Sequence, residues 1–124
     1  MRGPDHKQSS LFSYTQIEDR IAADHPLRRI KVMADLVLHS MSPSFDSLYA
    51  EGGRPSIAPE RLLRALLLQC LFSIRSERAL IEHLDFNMMF RWFVGLSQDE
   101  PVWDHSSFSA NRDRLFKESV MREF

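Results

Sequence analysis

Residues 59 to 74 hold "PERLLRALLLQCLFSI", in which Leu62, Leu63, Leu66, Leu67, Cys70, Leu71 and Ile74 cover nearly the whole circumference of a helix. A helix apolar almost all round cannot stand on a surface and must be enclosed by others. The chain therefore has to build several further helices around this one. The 124 residues suffice for one domain with a real core, and the 44% hydrophobic, 27% charged composition belongs to an ordinary folded protein.

The flanking segments supply the partners. "DHPLRRIKVMADLVLHSM" carries Pro26 at a first helical position, with Ile30, Met33, Ala34, Val37, Leu38 and Met41 repeating at helical spacing and expected inward. Pro43 ends it, "PSFDSLYA" supplies one more short turn or helix, and Gly52 with Gly53 makes the clearest break. Ser76 is an N-cap for "ERALIEHLDF", which places Leu80, Ile81 and Leu84 inward. In "NMMFRWFVGL", Asn87, Arg91 and Gly95 form one thin polar line among apolar neighbours. The last helix begins near Asp104 or Ser106 and turns Phe108, Leu115 and Phe116 inward. No segment alternates with period two, so the expected fold is all-α: five to six helices with a helix-turn-helix-like C-terminal part. A polar lead-in, residues 1–23, precedes the helical domain, residues 24–124.

Enzyme signatures are lacking. The five histidines show neither HExxH spacing nor pairing with cysteine, and Gly52–Gly53 lacks the lysine of a P-loop. Cys70, the one cysteine, lies in an apolar run and reads as a buried structural thiol. The N-terminus has no secretory core and no stretch approaches the ~20 apolar residues of a membrane span. The expected location is the bacterial cytoplasm, at the nucleoid.

The basic residues point to a polyanion. Arginine outnumbers lysine thirteen to three, and Arg54, Arg61, Arg64, Arg75 and Arg78 face only Glu60 and Glu77 between residues 54 and 78. Guanidinium pairs bidentately with phosphate and guanine, whereas the blander reading is solvated helix ends and i, i+4 ion pairs such as Arg78 with Glu82. With net charge −1, any DNA surface must be local. On a helical wheel of the last helix, the side away from Phe108 and Leu115 collects Ser106, Ser107, Ala110, Asp113, Arg114 and Lys117. Small residues in the first turn, followed by cations, suit a helix that enters a major groove, and its N-terminal N–H groups suit a phosphate. Ser106, Ser107, Ala110 and Arg114 are the expected base readers. Arg54, Arg75, Arg78 and Lys117 are the expected phosphate contacts. Asn111 and Arg112 are edge candidates, with Arg112 equally suited to buttressing the helix.

"DHPLRRIK", "GRPSIAPERLLRALLLQCLFSIRSERALIEHLDFNMMFRWFVGL" and "DHSSFSANRDRL" together resemble the N-terminal, InsH-like domain of bacterial insertion-sequence transposases, from Asp24 to Arg122. The resemblance implies a helical domain that recognises the terminal inverted repeats of an element in double-stranded DNA. It also implies a following ribonuclease-H-like domain with an Asp-Asp-Glu site for divalent metal such as magnesium. Those carboxylates lie beyond the matched stretch. The chain is thus expected to be a truncated transposase with no cofactor and no catalytic activity of its own, associating with itself or with an intact transposase. The alternatives are a helical protein–protein module, dimerising through the aromatic 86–96 segment, and an inert remnant of a broken gene.

Overall fold

The computed structural model describes residues 2–3, 16–49, 57–116 and 124. Gly52, Gly53, Arg54 and Lys117, and the inward face expected of Phe116, lie outside them. The described residues form seven α-helices and no strand: α1 (Ile17–Arg20), α2 (Pro26–Ser40), α3 (Ser42–Tyr49), α4 (Pro59–Leu71), α5 (Glu77–Phe86), α6 (Met88–Val94) and α7 (His105–Phe116). This is the expected all-α architecture; α3 is the short helix expected of "PSFDSLYA", and α1 raises the helix number beyond the expectation. Inside the polar lead-in, Ile17 of α1 is buried and α1 packs on α6.

Local chemistry sets the starts. Pro26 and Pro59 each occupy the first turn of a helix, where a missing N–H costs nothing. Ser76 caps α5 by accepting from Ala79 N at 3.1 Å, and Asn87 caps α6 by accepting from Phe90 N at 3.2 Å. Asp104 caps α7, accepting from the N–H of Ser107 at 3.2 Å. Gly95 closes α6 in the left-handed region at φ 101°, its N–H returning to Arg91 O.

The core is centred on α4, which packs against α6 and α7, while α5 also packs against both. Leu62, Leu63, Ala65 and Leu68 of α4 are wholly buried, against Leu80 and Leu84 of α5, Phe93 and Val94 of α6, and Phe108 and Leu115 of α7.

Four expectations are corrected. Helix α4 stops at Leu71, with Ser73 in a left-handed turn, and does not reach Ile74. Only its first three turns are enclosed: Leu66 and Leu67 are half-buried, while Cys70, Leu71 and Phe72 are exposed. Cys70 is therefore a surface thiol. On α2 the inward line is Leu27, Ala34, Leu38 and Met41, whereas Met33 and Val37 face solvent. The helix carries two apolar columns, and spacing alone does not say which one meets the core.

The polar line of α6 is not a solvent strip. Arg91 is 5% exposed. Its Nη1 donates to Leu84 O at 2.9 Å and its Nη2 to Ser97 O at 2.6 Å and to Glu100 O. The charged group can be buried in this way because its Nη protons meet backbone carbonyls, although its Nε is buried without a hydrogen-bond partner. One side chain thus fastens the end of α5 to the connection leading to α7.

Candidate nucleic-acid interface

Helix α7 has four distinct sides. Phe108, Asn111 and Leu115 are buried and form the side that faces the body. Ser106, Ala110 and Asp113 are exposed and form the opposite ridge. Between them, His105, Ser109 and Arg112 line one flank and Ser107 with Arg114 the other, all half-buried.

The first flank is tethered. Glu77, in the first turn of α5, has a side chain only 10% exposed, and the guanidinium of Arg112 reaches its carboxylate. Ser109 Oγ donates to the same carboxylate at 2.6 Å, and His105 Nε2 lies 3.5 Å from it. Arg112 also pairs with Asp113 at 2.8 Å, which offsets the one carboxylate on the outer ridge. This cluster, with Arg75, lines a cleft of about 490 Å³ between the end of α4, the start of α5 and α7. The tether fixes the rotation of α7 about its axis, so the ridge of Ser106 and Ala110 stays turned outward.

The second flank and the N-terminus are held by Asp104. Its carboxyl stands below the usual carboxylate range because the Ser107 hydroxyl donates to it at 2.7 Å and the Ser107 N–H joins in. This corrects the expectation that the first turn of α7 offers its N–H groups to a phosphate. The Ser107 N–H is taken, and an ionised carboxylate sits where the anion would bind.

Of the expected contacts, Ser106 and Ala110 lie on the ridge and Ser107 beside it. Asn111 is not at an edge: it is 8% exposed, and its Nδ2 donates to Ser107 O at 2.8 Å. Arg112 serves the tether. Arg114 is half-buried and engaged in an interaction of its own. Arg75 and Arg78 are exposed at the entry to α5, whereas Arg54 and Lys117 lie outside the described residues.

The arginine surplus of the sequence is smaller in the fold. Arg61 meets Glu100 at 2.8 Å and donates to Gly95 O, and Arg64 meets Asp35 at 2.8 Å. Asp35 also takes Lys31 at 2.8 Å, and Arg28 and Lys31 both lie over the Trp92 ring. These guanidinium groups join α2, α4 and the 95–100 connection. Sequence reasoning put Arg91 on a polar line and Glu77 among the counter-charges but missed the structural role of both. The signal for Arg91 was available, since a lone charge in an otherwise apolar seven-residue helix demands a buried partner.

Among the described residues no group of three His, Cys, Asp or Glu side chains can hold a metal ion. No helix among them is long and apolar enough to cross a membrane.

A family model, the transposase domain (DUF772), matches residues 15–114. The chain belongs to this transposase domain family. No curated protein and no solved structure matches it.

Proposed function

We propose that this domain binds double-stranded DNA at the ends of a transposable element and has no catalytic role of its own. Helix α7 enters the major groove with its outer ridge. Ser106 and Ala110 approach the base edges, and Ser107 and Arg114 flank them. Arg75 and Arg78 hold the phosphate backbone from the entry to α5. With α7 tethered to α5, cations and ridge form one rigid surface, as sequence reading by a helix requires.

The observation that carries this reading is the exposed line of two small side chains, Ser106 and Ala110, on a helix whose other faces are all engaged. A thin ridge whose one carboxylate, Asp113, is paired with Arg112 allows close approach to base pairs. Its membership of a transposase family supports DNA as the partner. Binding of labelled element ends, compared with scrambled duplex of equal length at fixed salt, tests it. Preference for the ends, lost in Ala110→Glu with the fold intact, is the expected result. Equal affinity for both duplexes, or none, overturns it.

A further inference from the structure

Helix α2 turns a second apolar face away from the body of the protein. Val32 is 60% exposed, Met33 65%, Leu36 67% and Val37 38%. No charged residue interrupts this face over its two central turns. Arg29 borders it at one end and Ser40 at the other, both exposed. Four large aliphatic side chains together on one helix are not the scattered exposure normal for a soluble surface.

The order of these residues fits a second copy of the same helix. The positions 29, 32, 33, 36, 37 and 40 are symmetric about the midpoint between Ala34 and Asp35. Two copies of α2 laid antiparallel about a two-fold axis place Val32 opposite Val37, Met33 opposite Leu36 and Arg29 opposite Ser40. Such a face is complementary to itself, which is what an isologous contact requires. Charge selects the same direction. Antiparallel pairing sets each Arg29 against the C-terminal turn of the other helix, where the helix dipole is negative. The two Arg29 side chains then stand roughly 16 Å apart along the axis, at 1.5 Å rise per residue, beyond the Debye length of about 8 Å. Parallel pairing would bring them face to face. We infer that this surface of α2 is a self-association site, which takes the same helix of a second copy in antiparallel register.

The contact is small. The 15 residues of α2 span about 22 Å, and one such helix pair falls short of the ~800 Å² per partner of a standard stable interface. Association is therefore weak and concentration-dependent. It does not rest on the DNA reading, and it is a different surface from the aromatic 86–96 segment, where Phe90, Phe93 and Val94 are buried and Phe86 and Met88 are exposed.

The test uses the full chain, with Cys70→Ser removing the exposed native thiol. Sedimentation equilibrium over a wide concentration range is expected to show a reversible monomer–dimer equilibrium. Leu36→Glu should weaken it by at least about tenfold, with helix content and melting unchanged. Mixing Met33→Cys protein with Leu36→Cys protein under mild oxidation should give a mixed disulfide dimer in excess of either self-linked product. A monomer at all concentrations overturns the inference, as does a dimer indifferent to Leu36→Glu. Preferential self-linking of Met33→Cys overturns the antiparallel register.

Discussion

Arg61 of α4 and Glu100 of the connection before α7 meet at 2.8 Å, although they lie far apart in the chain. The same carboxylate accepts from the Ser97 N–H at 3.2 Å. The Arg61 hydrogen bond, and after it the Ser97 N–H, hold the Glu100 carboxyl below its ordinary range.

A depressed carboxyl pKa has a definite consequence for stability. The unfolded chain takes up a proton at Glu100 at higher pH than the folded chain does. The contribution of Glu100 is thus complete above the ordinary carboxylate range and is lost as pH falls through its depressed folded value. Glu100→Gln should flatten the acid limb of a stability-against-pH curve, below the ordinary carboxylate range, leaving a part that Asp104, shifted in the same direction, still supplies. Equilibrium denaturation at a series of pH values measures this. A difference between variant and parent that is constant with pH would contradict the assignment.

Arg91 is the most demanding residue of the fold. Arg91→Met fills similar space but leaves the carbonyls of Leu84, Ser97 and Glu100 without their donor. Hydrogen bonds to a charged donor are worth about 1.5–3 kcal/mol each, and their losses do not simply add. A destabilisation of about 3–5 kcal/mol in urea titration is expected. A cost below about 1 kcal/mol would mean that water replaces the guanidinium.

Gly95 is set by conformation and not by crowding. A Cβ there would meet Arg61 Nε at 3.9 Å, an ordinary contact, whereas its φ of 101° is a region that side-chain-bearing residues avoid. Gly95→Ala should therefore cost about 1–2 kcal/mol, read as a lowered denaturant midpoint with an unchanged slope. A larger loss with an altered slope would indicate disruption of the Arg61–Glu100 contact.

Neighbouring leucines of α4 should respond differently. Leu68 is fully buried, and Leu68→Ala should cost about 2–5 kcal/mol by removing core volume. Leu67, half-buried, should lose well under that when changed to Ala. Equal costs would mean that the outer side of α4 is covered in solution.

Phosphate contacts report through salt. Arg78→Ala should reduce the magnitude of the slope of log K against log salt concentration by about 0.9, with similar loss on element ends and scrambled DNA. An unchanged slope would remove Arg78 from the interface. Arg114→Ala should instead cost about 1–3 kcal/mol on the ends alone if its guanidinium reaches a base edge, measured by anisotropy on both duplexes.

Legibility of the sequence followed the locality of the physics. Pro26, Ser76 and Asp104 announce helix starts because capping involves residues two or three apart, and the chain shows them directly. The inward side of α7 was readable from Phe108 and Leu115, since only one apolar column exists there. Helix α2 has two such columns, so Met33 and Val37 were placed inward when the structure turns them out. Cys70 and Leu71 share the composition of the buried turns before them, and they are exposed because no helix among the described residues covers them. The arginines were hardest. Arg61, Arg64, Arg91 and Arg112 find their partners across the fold, and a sequence window counts their charge without seeing what neutralises it.

The clasp of Arg91 on three carbonyls leaves α7 without an independent joint. One planar cation is shared by the corner after α5 and by both ends of the 97–100 turn, so neither can give way while the other holds. The last helix is thereby welded to the interior, and its detachment and the melting of the core should be a single event.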